Sequence, residues 1–590
     1  MNMDRRKFLG VTAATLATPY IITANRVHAG TFGFDPATAG TALPDNSAID
    51  ESSARMIFDL SVSSGDPTPS GVMLWTHINP KYYDPSEQLV FQVCKDPAAQ
   101  VVVLEGQVNA EEIGPQKDYT VKIDLDGQLD ANQRYYYRFY YKGISSRIGR
   151  CKTLPQQDGY LENLKIAVLT CQDYTNGYYG ALNYVAQDDS IDFVVHLGDF
   201  IYETAGDPRF QSLPFADREI ILPSGGIVAF DVLDYRHLYK TYRSDLNLQL
   251  AMEVHSWIIT TDDHETANDA YWDYERDTLG APDHPLTTEQ GSDATALKQL
   301  KLDSQRAWVE YTPTRVQINE NASHPHDFTR IYRSFQFGDL FELFMLDTRT
   351  YRSPHPCGEN DIFSRYIPIG CNKMNDAGQT MMGETQFDWL KQGLKDSSAK
   401  WTVLGNQTYL GRLTASLLGQ PLAYINVDAW DGYIAERDRL MEAVKEANLD
   451  NFVVLTGDLH TYISSYVKYD YGHLTNFWWP NIAGIEFMTP SVSSSNLFEM
   501  IGKQAKGTGH RDEVLQVLSE GAIRLNNPHI RYFNSTQNGY STVEFTRDYC
   551  EWTAYSVDKN VNDGQASRSI VKKQRKDAGW SWLQDQDNNA

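Results

Sequence analysis

Three things are scarce in this chain of 590 residues. Cysteine is one: six of them cannot staple so long a chain into a disulfide-dense scaffold. Positive charge is another, because 52 Lys and Arg face 77 Asp and Glu, a net −25. Such a surface repels polyanions, so no stable nucleic-acid complex is expected, although a local basic pocket is compatible with it. Long apolar runs are the third. Beyond the N-terminal segment none approaches the ~20 residues that span a bilayer, so no transmembrane anchor is expected. Packing material is plentiful by contrast, with aromatic residues at 12%. The length exceeds what one core usually buries, which predicts at least two domains.

The N-terminus reads as a processing segment. Arg5-Arg6-Lys7-Phe8-Leu9 precedes an apolar, small-residue run from Gly10 to Ala24, and Val27-His28-Ala29 follows. A basic start, a short apolar middle and an A-x-A-like end predict a signal peptide over residues 1–29, and the paired arginines point to the twin-arginine export machinery. That route carries folded proteins, so metals can load in the cytoplasm before the protein becomes periplasmic or secreted. Cleavage after Ala29 removes Arg5, Arg6, Lys7 and Arg26 against Asp4, a net +3, and leaves −28. An ordinary amphipathic N-terminus is the competing reading.

Residues 30–52, rich in Gly, Thr, Ala and Pro, suit a linker or N-terminal arm. Over 53–158 short strand-like runs (Phe58–Val62, Val72–Thr76, Leu89–Val93, Val101–Leu104, Tyr119–Ile123, Tyr135–Tyr141) alternate with turn formers, which predicts an accessory β-sandwich. Residues 159–555 mix apolar strand candidates with helical spacing, as in Phe387–Lys395 and Ile434–Asn448, and predict an α/β core with its chemistry after the strands. Over 556–590 a basic stretch from Ser567 to Lys576 precedes Trp580 and Trp582; a C-terminal helical extension is expected there, a plain tail being the alternative. Cys357 and Cys371 enclose a turn-forming loop and are candidates for a staple, whereas Cys94, Cys151 and Cys550 read as buried thiols.

Five polar clusters stand at the ends of apolar runs: Cys171-Gln172-Asp173, Gly198-Asp199-Phe200-Ile201-Tyr202, Asp262-Asp263-His264-Glu265, Gly405-Asn406-Gln407 and Gly457-Asp458-Leu459-His460. Gly198 permits a sharp turn that presents Asp199, whose two oxygens can bridge neighbouring ions. Tyr202, three positions on, can return to the same ion as a phenolate, which favours ferric iron. Cys171 supplies a thiolate that a transition metal would keep deprotonated. In the acidic cluster Asp263 is the preferred ligand, and His264 can relay a proton to a leaving-group oxygen or hydrogen-bond phosphate. Asn406 offers an amide oxygen to a hard cation. Asp458 and His460 flank one residue, so an extended backbone sends both to one side, the oxygen suiting calcium and the nitrogen iron. Each cluster has a plain structural alternative: a turn carboxylate beside a core Tyr, a buried Cys, a helix cap, a turn Asn. Five together argue against accident.

On these residues the chain resembles the secreted PhoD-like alkaline phosphatase and phosphodiesterase family, within the calcineurin-like metallophosphoesterases and related in site plan to purple acid phosphatases. Ser64-Gly65-Asp66-Pro67 and Leu74-Trp75-Thr76 match, as do Cys171-Gln172, Gly198 to Glu203, Asp262 to Glu265, Leu346-Asp347-Thr348-Arg349, Leu404 to Gln407 and Gly457 to His460, in order, across about residues 56 to 550. The resemblance implies a four-layer αββα metallophosphoesterase sandwich (class α/β) behind an N-terminal all-β sandwich. It also implies iron (Fe3+) at Cys171, Asp199, Tyr202 and His460, with calcium (Ca2+) near Asp199, Asp263, Asn406 and Asp458, and a second calcium whose shell is not assignable. Cys171 stands where many of the wider superfamily have Asp. Oxygen donors replace the nitrogen or amide ligands of purple phosphatases at Asp263, Asn406 and Asp458, which favours calcium over zinc or manganese.

The expected reaction is in-line attack on phosphate monoesters and diesters by an iron-activated water, with calcium neutralising phosphate and His264 serving the leaving group. Arg236, Arg243 and Arg349 are candidates for phosphate binding, with structural ion pairs as the alternative for each. A specialised phosphodiesterase or phospholipase acting on lipid or envelope phosphates, and a catalytically inactive extracellular binding protein, are the competing functions.

Overall fold

A computed structural model describes residues 34–35, 50–208, 211–359, 362–368, 370–417, 420–471, 481–500, 520–562, 564 and 566–587. The expected signal peptide, residues 1–29, lies outside them, as does most of the arm; within the arm, Phe34–Asp35 pairs antiparallel with Val108 and Gln107.

Alternation along the apolar strands builds the core. In Phe452–Thr456, Val453 and Leu455 face one apolar cluster while Phe452 and Val454 face another, the period of two that a strand imposes. Strands buried on both faces read as unbroken apolar runs, and parallel strands are usually of this kind. Phe341–Met345, Trp401–Gly405, Phe452–Thr456 and Ile482–Met488 run parallel within a seven-stranded sheet. Asn163–Leu169, Phe193–His196 and Ser256–Ile259 run parallel within a ten-stranded one.

The two sheets share a core in which Ile166, Val168, Val195 and Ile258 meet Leu343, Met345, Val403 and Val453. Helices cover the outer faces. Val232–Arg243, Leu246–Val254 and Ala294–Tyr311 pack on the first through Leu238, Leu248 and Trp308. Gly383–Asp396 and Ile434–Glu446 pack on the second through Leu390, Leu394, Leu440 and Val444. Phe387, Leu390 and Leu394 recur at helical spacing, and Asp231 caps Val232–Arg243 by accepting the Leu233 and Asp234 N–H groups. This is the four-layer αββα sandwich.

The N-terminal sandwich has its own core, where Val72, Leu74, Val121 and Ile123 meet Phe91, Val93, Tyr137 and Phe139. One of its two sheets is continuous with the α/β core: Val62–Thr68 runs parallel to Ser256–Ile259, with Ser64 opposite Ser256 and Gly65 opposite Trp257. A Cβ at Gly65 would lie 2.5 Å from the Pro313 carbonyl oxygen, so the Ser-Gly-Asp-Pro run is a packing seam. The expected strand Phe58–Val62 is corrected: Asp50 caps a helix, Glu51–Ile57, and the strand begins only at Val62.

The expected C-terminal helix is also corrected. Arg568–Asp577 is a strand, antiparallel to Tyr549–Val557 from Val557 opposite Arg568 to Tyr549 opposite Asp577, and Leu583–Asp585 folds back on it. Gln574 and Lys576 are both buried, a spacing of two, and Lys576 Nζ donates to Asn451 Oδ1 at 2.9 Å. An open sheet edge supplies a backbone ladder that outweighs the helical tendency of Lys and Arg. Cys357 and Cys371 form a disulfide, and Cys94, Cys151 and Cys550 are buried thiols. No helix of the described residues is long and apolar enough to cross a membrane.

Candidate metal centre

The parallel strands of both sheets release their polar clusters at the same edge, where ligands gather in such sheets. The backbone bends sharply there: Cys171, Asp199, Asp458 and His460 all have left-handed φ, at 55°, 55°, 67° and 51°. Non-glycine residues adopt this region at a cost and chiefly where surrounding contacts impose it. Gly198, at φ 106°, makes the Asp199 turn possible, since a Cβ there would lie 2.4 Å from the Asp262 nitrogen. Glu265 ties the turns together: its carboxylate accepts the N–H groups of Asp199 at 3.0 Å and of Phe200 and Asp262 at 2.6 Å each.

One corner joins Cys171, Asp199 and His460, whose ligand atoms all lie within 4.8 Å of one another. Tyr202 Oη is 3.1 Å from both Asp199 Oδ2 and His460 Nε2. His460 Nδ1 faces the Ser495 carbonyl, which directs Nε2 inward. Burial pushes the Cys171 thiol and the Tyr202 phenol well above their ordinary values, with Asp199 adding to both, and lowers His460 to about 4. Burial thus favours the neutral thiol, phenol and imidazole, whereas a bound cation would favour the thiolate and phenolate.

The second corner is acidic. Asp262, Asp263 and Asp458 have ligand oxygens within 4.8 Å of one another, and Asp199, Asp263 and His264 form an adjoining group. Burial raises Asp262 to about 7, while Asp263, where Arg349 and His264 overcome the same burial, stays below the usual carboxylate range. Arg349 is buried among these groups: Nε donates to Asp262 Oδ1 at 2.5 Å, Nη1 to Asp428 Oδ2 at 2.9 Å and Nη2 to Asp458 Oδ1 at 2.9 Å. Asp262 Oδ2 is buried with no hydrogen-bond partner among the described residues.

His264 stands beside both corners. Its Nδ1 is 2.6 Å from Glu203 Oε2 and its ring centroid 4.1 Å from that of Tyr202. Burial opposes the imidazolium, but Glu203, Asp263 and Asp199 outweigh it and raise the ring's pKa well above the ordinary value. Asn406 lies at the end of Trp401–Gly405, where its amide oxygen accepts from Trp430 Nε1 at 3.3 Å and its Nδ2 donates to Thr408 O at 2.5 Å.

Of the three expected phosphate-binding arginines, only Arg349 reaches the site. Arg236 is corrected to a structural ion pair, donating to both Glu310 oxygens at 2.7 and 2.6 Å. Arg243 is corrected to a packing role: it lies 3.6 Å over the Trp75 ring and donates to the Tyr311 carbonyl and to Ser63. Both sit on the helix Val232–Arg243, whose spacing turns them to the N-terminal sandwich, while Tyr242 of the same helix donates its hydroxyl to Asp173 at 3.4 Å and accepts from Tyr202 N at 3.1 Å.

The sequence clusters omitted Asp428, His355, Glu359, Asp269 and Arg365, which continue the charge network outward. Asp428 Oδ1 is 2.7 Å from His355 Nε2, His355 Nδ1 is 2.7 Å from Glu359, and Arg365 donates to Asp269 at 2.9 Å. Four of these residues come from loops without periodicity, and Arg365 ends a helix of only four residues, Ile362–Arg365. The available signal was their density: Arg349, Arg352 and His355 follow one strand within seven residues, and Asp428 and Asp431 flank Trp430.

Comparison with known proteins agrees with this layout. The family model for PhoD-like phosphatase matches residues 166–554, and that for the PhoD-like phosphatase N-terminal domain matches 43–155. Alkaline phosphatase D of Bacillus subtilis (strain 168) is 30% identical over 568 residues, covering 94% of this chain and 84% of that protein. A solved structure of PhoD superposes with a TM-score of 0.73 at 27% identity, covering 90% of this chain and 92% of that one. With a converging acidic site on the matching fold and a relative aligned nearly from end to end, the chain belongs to the PhoD-like phosphatase family and is a hydrolase of phosphoric esters.

Proposed function

We propose that this enzyme cleaves phosphate monoesters and diesters at a centre of ferric iron and calcium, and that it works outside the cytoplasmic membrane after export by the twin-arginine route. The observation that carries the reading is the meeting of Cys171, Asp199, Tyr202 and His460 at one buried corner beside the carboxylates of Asp262, Asp263 and Asp458.

The donor sets fit the two ions. A thiol, a phenol, a carboxylate and an imidazole suit a transition metal of high charge, and an all-carboxylate corner with an orphaned Asp262 oxygen suits a hard cation. Asn406 would add its amide oxygen to the calcium shell by giving up the Trp430 contact. When bound, such a pair supplies Lewis acidity and lowers the pKa of water into the neutral range.

The chain's own groups do the rest. Arg349, fixed by Asp262, Asp428 and Asp458, offers a guanidinium to the phosphate without reorganising. His264, with Nδ1 held by Glu203, presents its other nitrogen to the leaving-group oxygen as a general acid.

Metal analysis of the purified protein, paired with turnover of a monoester, a diester and a phospholipid, tests the reading. Iron and calcium in stoichiometric amounts, with both metal content and turnover lost in Cys171→Ala, are expected. Full activity in a protein carrying neither ion would overturn it, and turnover of diesters or phospholipids alone would narrow the substrate class.

A further inference from the structure

The run Ser491-Val492-Ser493-Ser494-Ser495-Asn496 follows the strand Ile482–Met488 and touches three of the four donors at the proposed iron corner. The Ser493 and Ser494 N–H groups point at the Cys171 carbonyl at 3.5 and 3.3 Å, His460 Nδ1 faces the Ser495 carbonyl, and Ser494 Oγ lies 2.8 Å from Tyr202 Oη.

The surroundings of Ser494 define what its hydroxyl does. It accepts the Asp173 N–H at 3.1 Å and has two acceptors in reach, the Cys171 carbonyl and the Tyr202 oxygen, each at 2.8 Å. A serine has one proton to give. While Tyr202 is a phenol it donates its own hydrogen to Asp199 Oδ2, 3.1 Å away, and Ser494 can serve Cys171. As a ligand the Tyr202 oxygen is an acceptor only, and Ser494 is the hydroxyl beside it.

The stem that carries this hydroxyl is held from behind. Asn538 Nδ2 donates to the Ser494 carbonyl and to Ser491 Oγ, both at 2.7 Å, and Lys559 Nζ donates to the same carbonyl at 3.0 Å and to Glu499 at 2.7 Å. The hydroxyl turns on a fixed backbone.

We propose that Ser494 is a positioning residue that donates its hydrogen bond to the Tyr202 oxygen in the iron-loaded enzyme and so sets how strongly that oxygen donates to the metal. The inference rests on the iron reading above. A hydrogen bond into a ligand oxygen stabilises its lone pairs, which moves the tyrosine-to-iron charge-transfer band to higher energy and makes the ferric state easier to reduce.

Visible absorption of the iron-loaded holoenzyme at matched iron content, with the iron midpoint potential, tests this. Ser494→Ala is expected to shift the band to longer wavelength and lower the potential. Ser494→Cys, a weaker donor of similar size, should fall between it and the parent. Ser493→Ala loses a bond to the Asp173 carbonyl at 2.8 Å in the same loop without touching Tyr202, and should leave the band in place. An unmoved band in Ser494→Ala, or an equal shift in Ser493→Ala, overturns the assignment. If Ser494→Ala sheds its iron, Ser494→Cys decides: an intermediate band supports the role, while an unmoved band or iron loss from this variant too leaves Ser494 a merely structural residue. A parent enzyme that lacks the band altogether defeats the iron reading itself, and the inference with it.

Discussion

His264 and Glu203 form a buried pair with 2.6 Å between Nδ1 and Oε2, and Glu203 Oε1 accepts the Asn268 N–H at 2.8 Å. The carboxylate is anchored at one oxygen and orients the imidazole with the other. Glu203→Gln keeps the shape and removes the charge, so kcat should fall about tenfold to a hundredfold. The loss should be largest for esters with poor leaving groups. A series of aryl phosphates of graded leaving-group pKa reads this directly, and a uniform loss across the series would assign Glu203 to folding instead.

Arg349 neutralises carboxylates that burial would otherwise leave exposed to one another's charge. In Arg349→Ala, urea unfolding of chelator-treated protein should show a loss of about 3–5 kcal/mol, the usual effect of breaking a buried ion pair. Added calcium should recover part of that loss, because a bound cation would take over the same compensation. KM should rise as well. Equal stability of parent and variant in chelator would contradict the role.

Several histidines are buried in the neutral form. Burial lowers His255 to about 4, and His196 and His529 to about 3. Each binds a proton more readily unfolded, near pH 6.5, than folded. Their contribution to stability is therefore complete above pH 6.5 and is lost as the pH falls toward the folded values. A carbonyl oxygen only accepts, so His255 donates to Val185 O through Nε2 at 2.9 Å, and a Gln amide can replace that bond. His255→Gln should flatten the acid limb by up to about 3 kcal/mol between pH 7 and pH 4.5, read from urea midpoints.

The disulfide closes a loop of 14 residues' separation that carries Glu359, Arg365 and Tyr366. These residues grip His355 and Asp269 at the outer edge of the site. Replacing both cysteines by Ser should lower stability by about 3 kcal/mol on loop-closure grounds and raise KM more than it lowers kcat. Thermal unfolding and steady-state kinetics with and without a reductant give both numbers.

Much of the core was legible because its strands are buried on two sides and therefore spelled as apolar runs, and because each run ends where a polar residue must leave the sheet. That is why Cys171, Asp199, Tyr202, Asp263, Asp458 and His460 could be grouped from sequence and are found together. Arg236 and Arg243 were not separable from Arg349 by residue type; which face of a helix meets the site is decided by packing, and their face meets Glu310 and Trp75. The tail from Arg568 to Asp577 misled for a related reason, since its lysines and arginines favour a helix locally and the open edge of Tyr549–Val557 is remote in sequence. The serine run around Ser494 carried no periodicity or charge to mark it.

The hydrogen bonds between Val62–Thr68 and Ser256–Ile259 have a bearing on how this protein can be dissected or inherited. A cut near residue 158 would strip three strands from a shared sheet and bare the backbone of Ser256–Ile259. The front segment is thus a fixed wall of the enzyme, and a chimera that swaps it must bring a strand able to continue the same ladder.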